Sequence, residues 1–205
     1  MTRRVNKVRY ELDSKGIKHL PSNEIKAILR GADDLIMSGG RSMLAKVLKG
    51  SKDKKVMELG LNESPVYGFF SKLKIEDITA KIDWLIINDY LEIKYDYRLP
   101  LLAYTEKGWL IERDSYSDEL LDRLRELLVS GDYSLVPDLK DRNRGMILLL
   151  LNKIKATRDK QFIPLLEAWA TIDYKKVQAV IREVVDALEN QQPFKVLPGG
   201  RDNIF

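Results

Sequence analysis

The chain has 205 residues, enough for one or two domains, and its 44% hydrophobic and 32% charged residues are typical of a soluble globular protein. It has no cysteine and one histidine, His19, which excludes disulfides, thiolate metal sites, cysteine catalysis and multi-histidine metal sites. The formal net charge of +4 arises within residues 1–20, because residues 21–112 and 113–205 each carry equal numbers of acidic and basic side chains. Nucleic-acid binding must therefore come from local patches of Lys and Arg.

No apolar run approaches the ~20 residues that a membrane span requires. The longest, Met146–Leu151, fits a turn of a buried helix. No apolar region follows the basic N-terminus, so we predict no secretory signal and no membrane partner. We expect a cytoplasmic protein, associated with the nucleoid if it is bacterial.

Residues 1–21 form a predicted basic arm. Within the arm we predict a short strand at Val5–Leu12 and a turn at Asp13–Gly16. A first helix follows, because Ser22 or Asn23 can cap it and apolar residues then recur at helical spacing.

A second helix lies between Gly40 and Gly50, two residues that can end helices. Residues 51–74 are less regular and predict a short helix or turn followed by an apolar loop. A third long helix is predicted at Glu76–Tyr90, where isoleucines and leucines form a stripe on one face.

A β-hairpin follows, with strands near 91–96 and 100–105 and a tip at Asp96–Leu99. Pro100 suits the end of a strand because proline cannot donate a hydrogen bond to a central ladder. Helix, helix, helix and hairpin is the order of a winged helix, which we place at residues 22–112.

The composition changes after Gly108, and helical patterns continue to Glu189. The predicted helices are Asp118–Val129, Arg142–Thr157, Gln161–Thr171 and Tyr174–Glu189. They define a helical domain at 113–190, whose hairpin-like spacing resembles helical repeats of the HEAT kind, and a polar tail at 191–205. The predicted fold class is mainly α with a small β-hairpin, namely a winged helix followed by a C-terminal helical domain.

Lysines cluster where the second helix ends. The cluster consists of Lys46, Lys49, Lys52, Lys54 and Lys55, with Asp53 as the acid among them. Lys72 and Lys74 precede the third helix. These charges can bind phosphates, although a run of charge also fits a solvated helix end. A second basic cluster, at Arg142–Lys160, either extends a DNA-binding surface or covers an exposed helical face.

Four short motifs occur together in the winged-helix region. They are Lys49–Ser51 (Lys-Gly-Ser), Tyr67–Phe69 (Tyr-Gly-Phe), the helix end Trp84–Leu91, and Ala103–Gly108, which ends in Thr-Glu-Lys-Gly. Together they resemble the RQC domain, which follows the motor of RecQ-family DNA helicases. The resemblance covers a little under half of the chain.

The resemblance implies a domain that binds DNA at duplex ends, forks and junctions. Its hairpin would part the terminal base pair, and an aromatic residue at the tip, Tyr97 or else Tyr95, would stack on the opened pair beside Arg98. Lys49 and Ser51 would contact phosphate. The full predicted DNA-binding set is Lys46, Lys49, Ser51, Lys52, Lys54, Lys55, Lys72, Lys74, Tyr95, Tyr97 and Arg98.

The sequence has no Gly-x-x-x-x-Gly-Lys-Ser/Thr loop for ATP, no nucleophile–base set and no cysteine cluster for the zinc module of the RecQ family. We therefore expect a non-catalytic DNA-binding protein without cofactor, acting in repair or replication. The C-terminal helices would bind a protein, such as a helicase or repair factor.

Two other functions stay open. A sequence-specific transcriptional regulator would place the third helix in the major groove. The solvent side of that helix argues against this, because Glu76, Asp77 and Asp83 outnumber Lys81. A protein-interaction adaptor without nucleic-acid binding is permitted by the balanced charge of residues 21–205.

Overall fold

The computed structural model describes residues 11–131, 133–140 and 142–190. Two compact units make up the chain, Met1–Tyr116 and Ser117–Phe205. Within the described residues the elements are helices and one two-stranded antiparallel hairpin, so the predicted fold class is confirmed. The strand predicted at Val5–Leu12 and the tail at 191–205 lie outside the described residues, apart from Glu11 and Leu12, which form no regular element.

The first unit has the element order expected of a winged helix. Its elements are α1 (Ser22–Asp33), α2 (Arg41–Lys49), α3 (Lys54–Glu58), α4 (Ile75–Ile87), β1 (Leu91–Asp96), β2 (Leu99–Tyr104) and the start of α5 (Glu106–Ser130). A 3₁₀ turn at Leu61–Glu63 follows α3. The apolar faces of α1, α2 and α4 pack with the hairpin in one core, whose fully buried members include Ile28, Leu29, Leu44, Leu48, Ile78, Ile82, Leu85, Leu91 and Leu102.

Helix α5 differs from the prediction, since one helix runs from Glu106 to Ser130 where a separate helix from Asp118 was expected. The return strand ends at Tyr104, and Thr105 caps the helix, because its Oγ1 accepts from the backbone N–H of Gly108 at 3.1 Å. The missed part of α5 has buried polar residues, Glu112 and Ser117, which interrupt the apolar periodicity that predicts helices.

The second unit contains the remainder of α5 and four further described helices. They are α6 (Val136–Leu139), α7 (Arg144–Thr157), α8 (Ile163–Ile172) and α9 (Lys175–Glu189), with a 3₁₀ turn at Lys160–Phe162 before α8. Its core includes Phe162 and Trp169, both fully buried. The indole Nε1 of Trp169 donates to Asp173 Oδ2 at 2.7 Å, so the buried indole nitrogen has an acceptor.

No described helix combines the length and the apolar character that a membrane span requires. The described residues also contain no group of three or more His, Cys, Asp or Glu side chains arranged to hold a metal ion.

Candidate nucleic-acid interface

The C-terminal end of α2 brings two of the sequence motifs into contact. The helix ends at Gly50, whose φ of 75° lies in the left-handed region that favours glycine. The loop that carries Gly68 packs against this helix end, because the backbone N–H of Gly68 donates to the carbonyl of Val47 at 3.0 Å. The N–H of Phe70 donates to the carbonyl of Leu48 at 2.8 Å. Lys-Gly-Ser and Tyr-Gly-Phe therefore form one structural unit, which we call the α2 corner, residues 46–55 with 66–74.

Two glycines allow this close approach. A Cβ built on Gly50 would lie 3.0 Å from the Cα of Gly68, which itself has a φ of 74°. The hydroxyl of Tyr67 donates to the carbonyl of Ser51 at 3.0 Å and ties the two segments further. Gly50 thus has a packing reason and Gly68 a backbone reason, its positive φ, and both are independent of DNA.

Lys49 fixes the corner from within. Its Nζ donates to the carbonyl oxygens of Ser71 at 2.5 Å and Leu73 at 2.8 Å. Because an ammonium group has three donors, one remains for another acceptor. The predicted phosphate contact of Lys49 stays a prediction, and replacing this residue would also release the loop.

Asp53 pairs with one lysine of the cluster. Lys46 Nζ donates to Asp53 Oδ2 at 2.7 Å, and Asp53 Oδ1 caps α3 by accepting from the backbone N–H of Lys55 at 3.0 Å. The hydrogen bond from Lys46, followed by that from Lys55, lowers the pKa of the Asp53 carboxyl below its ordinary value. Ser51 Oγ accepts from the N–H of Asp53 at 3.2 Å. Asp53 therefore both shapes α3 and neutralises Lys46.

The remaining lysines of the α2 corner are exposed: Lys52, Lys54, Lys55, Lys72 and Lys74. Lys54 lies 3.5 Å from Glu58, and both side chains are mostly exposed, so this pair is weak. Within the described part of the chain, Lys52, Lys55 and Lys72 form no salt bridge. Lys72 lies between the two residues whose carbonyls bind Lys49, so the structure brings it to the same corner.

The hairpin tip presents one aromatic side chain to solvent. Asp96 pairs with Leu99, which leaves Tyr97 and Arg98 as a two-residue turn, and β2 begins one residue earlier than predicted. Tyr97 is 86% exposed, whereas Tyr95 is half-buried opposite Pro100. Of the two tyrosines proposed from sequence, Tyr97 has the exposure that stacking requires.

Tyr97 adopts a φ of 51°, which is rare for a bulky residue. Such a conformation costs on the order of 1–3 kcal/mol for a residue other than glycine. In a two-residue hairpin turn, Gly, Asn or Asp ordinarily occupies a position of positive φ. An aromatic residue therefore stands at a position where a smaller residue would be more stable.

The polar side of α4 is occupied by the segment before α1. Asp83 was predicted on the solvent side of this helix, but it is buried, and it accepts from Arg41 Nη1 at 2.5 Å and from the backbone N–H of Asp13 at 3.0 Å. Six residues earlier on α4, Asp77 accepts from Lys15 Nζ at 2.8 Å. A recognition helix must present its side chains to base edges. These contacts of α4 are unfavourable for insertion into the major groove.

Three longer helices, α1, α2 and α4, with the short α3 between α2 and α4, are followed by a two-stranded hairpin, which defines the first unit as a winged helix. Residues 21–117, a little under half of the chain, match the RQC domain. ATP-dependent DNA helicase RecQ of Bacillus subtilis (strain 168) is 32% identical over 101 residues. The matched region is 42% of this chain and 17% of that helicase. No solved structure matches the chain.

The charge of Asp53 is predicted to weaken DNA binding. Asp53→Asn keeps an oxygen that can cap α3 but removes the partner of Lys46. We expect tighter binding of duplex DNA and a salt slope steeper by about 0.9, the contribution of one added phosphate contact. Fluorescence anisotropy across a salt series measures both quantities.

Asp122→Asn is the matched control, because it makes the same change in net charge at an exposed carboxylate of the second unit, 2.7 Å from Arg125. Equal affinities for the two variants would show that only net charge matters and would contradict a local role of Asp53.

Proposed function

We propose that this chain is a non-catalytic protein that binds DNA at duplex ends, forks or junctions and stacks Tyr97 on the terminal base pair. The observation that carries the proposal is the exposed, positive-φ tyrosine at the hairpin tip of an RQC domain. Stacking of a base on an aromatic side chain contributes ~1–3 kcal/mol. That gain is comparable with the free-energy cost of unstacking one base-pair step at the end of a duplex.

The α2 corner would bind the phosphate backbone. Lys52, Lys55 and Lys72 are exposed there, and each phosphate contact releases counterions and strengthens binding at low salt. Backbone contacts carry no sequence information directly. Together with the contacts that cover the polar side of α4, they support binding that depends on DNA structure more than on sequence. This favours the proposal over a sequence-specific regulator.

We further propose a role in DNA repair or replication, beside a helicase or repair factor bound by the second unit. The support is the similarity to a RecQ helicase, of which the match covers the RQC region alone. The location expected for such a protein is the cytoplasm, at the nucleoid if the cell is bacterial.

The decisive experiment compares DNA ligands and Tyr97 variants. Blunt duplex, fork, single strand and a duplex of unrelated sequence are titrated by anisotropy at two salt concentrations. We expect Tyr97→Ala to weaken binding to ends and forks by about fivefold or more, because one stacked base is lost. Leu99→Ala is the control, since Leu99 is also exposed and follows the same turn.

Tyr97→Gly separates binding from stability. Glycine adopts positive φ without a steric cost, so this variant should be at least as stable as the parent while losing the same DNA affinity. Equal weakening of all four ligands by Tyr97→Ala, or none, would exclude the stacking role. If none of the four DNA ligands binds at either salt concentration, the protein-interaction adaptor is favoured instead.

A further inference from the structure

The second unit has a cavity with a basic rim, and none of its lining residues belongs to the RQC match. Its volume is about 300 Å³. The residues that line it include Lys140, Arg142, Arg144, Tyr174, Lys175 and Lys176. Among the described lining residues, the one acidic side chain is Asp173. The cavity is therefore suited to an anionic ligand.

Asp173 is engaged by the protein itself. Its carboxylate accepts from Trp169 Nε1 at 2.7 Å and from the backbone N–H of Tyr174 at 2.6 Å, and the residue is buried. These bonds hold the start of α9 against α8 and fix the backbone from which Tyr174 projects. The acid thus positions the aromatic residue and is not a solvated charge that would repel a ligand.

Tyr174 is 61% exposed beside these cations. Lys140 Nζ lies 5.1 Å from the centre of its ring, within the range of a cation–π contact. An exposed aromatic ring among Lys and Arg side chains is the arrangement by which proteins bind single-stranded nucleic acid, with the ring stacking on a base and the cations binding phosphates. A volume of 300 Å³ is at the lower end for small-molecule cavities. It suits one nucleotide.

The sequence grouped Arg142 and Arg144 with basic residues that the structure places at the other end of α7. That helix has 14 residues and is about 21 Å long. At its far end Lys153 pairs with Asp118, and Lys160 donates to the carbonyl of Glu189. The cavity instead unites Arg142 and Arg144 with residues of the α8–α9 connection, more than 25 positions away in sequence.

We propose that this cavity binds one nucleotide of a single-stranded nucleic acid, with the base stacked on Tyr174 and the phosphates bound by Arg144, Lys175 and Lys176. A single strand is favoured over the interior of a duplex, because bases inside a duplex are stacked on their neighbours and have no free face for the ring. The site goes beyond the proposed function, since it lies outside the RQC domain. It would hold a displaced strand separately from the duplex end.

The test uses the full chain and labelled oligo(dT). Tyr174→Ala should weaken oligo(dT) binding by about fivefold or more, the lower bound for one stacked base. Tyr174→Phe should retain affinity because it keeps the ring. The double variant Lys175→Gln/Lys176→Gln should reduce the salt slope by roughly 1.4, or ~0.7 for each single-strand phosphate contact. Blunt-duplex binding should be unchanged in all three.

Lys155→Gln and Arg182→Gln are the controls, since both side chains are exposed on α7 and α9 but do not line the cavity. Thermal unfolding shows whether each variant is folded. If dTMP competes as effectively, per nucleotide, as unlabelled oligo(dT), the site binds a free nucleotide and the single-strand proposal is overturned.

Two further outcomes would overturn it. One is unchanged oligo(dT) affinity in Tyr174→Ala. The other is displacement of oligo(dT) by poly-glutamate that depends on Lys175 and Lys176 but not on the ring, which would indicate an acidic peptide. Neither outcome affects the Tyr97 experiment, because that experiment measures affinity for duplex ends and forks. Loss of end binding in Tyr97→Ala with normal oligo(dT) binding would likewise separate the two sites.

Discussion

Replacing Gly108 with alanine is expected to lower the free energy of unfolding by about 3 kcal/mol or more. A Cβ on Gly108 would lie 1.9 Å from the carbonyl oxygen of Tyr90 and 2.9 Å from its carbonyl carbon. Because these atoms are backbone, no rotamer change can relieve the clash. The Tyr90 carbonyl also accepts hydrogen bonds from Thr105, so moving it disturbs the cap of α5.

Gly31→Ala provides the matched control for this prediction. Gly31 is also a buried helical glycine, but its added Cβ would meet only side-chain methyl groups, the nearest being Val66 Cγ2 at 3.1 Å. Alanine gains about 1 kcal/mol over glycine inside a helix, which offsets this crowding. Urea unfolding followed by circular dichroism should show a large loss for Gly108→Ala and little change for Gly31→Ala. Similar losses would mean that α5 can move away from Tyr90.

Replacing Arg41 with alanine is the second large effect, with an expected loss of about 3–5 kcal/mol at neutral pH. The side chain of Asp83 is 3% exposed, and Arg41 binds it at 2.5 Å. Without the guanidinium the buried carboxylate loses its counter-charge, and the backbone N–H of Asp13 is a neutral substitute. The contact that holds Asp13 along α4 would weaken together with the core.

The double variant Arg41→Ala/Asp83→Asn tests the cause, because it removes the buried charge as well as its partner. It should recover part of the stability in the same urea experiment. Lys54→Ala is the surface control, since the exposed pair with Glu58 contributes only about 0–1 kcal/mol. A loss for Arg41→Ala no greater than that of the control would show that Asp83 reaches water.

Local patterns in the sequence were sufficient for the main elements of the winged helix. Helical spacing of apolar residues located α1 and α4, and alternating residues on either side of a short turn located the hairpin, because both signals depend on neighbours within a few positions. The choice between Tyr95 and Tyr97 as the exposed tyrosine required the strand register, in which Asp96 pairs with Leu99.

The sequence by itself determined the order of elements, the lysine-rich helix end and the resemblance to the RQC domain, which the family match confirms. Only the tertiary structure decided the contacts between distant segments: Gly50 with Gly68, Gly108 with Tyr90, Arg41 with Asp83, and Arg144 with Tyr174 around one cavity. The physical reason is that periodicity and turn chemistry act along the chain, whereas packing and charge pairing act through space. Buried polar residues such as Glu112 show where prediction from sequence fails. They interrupt the periodic spacing of apolar residues, so no local pattern indicates that this part of α5 is helical and buried.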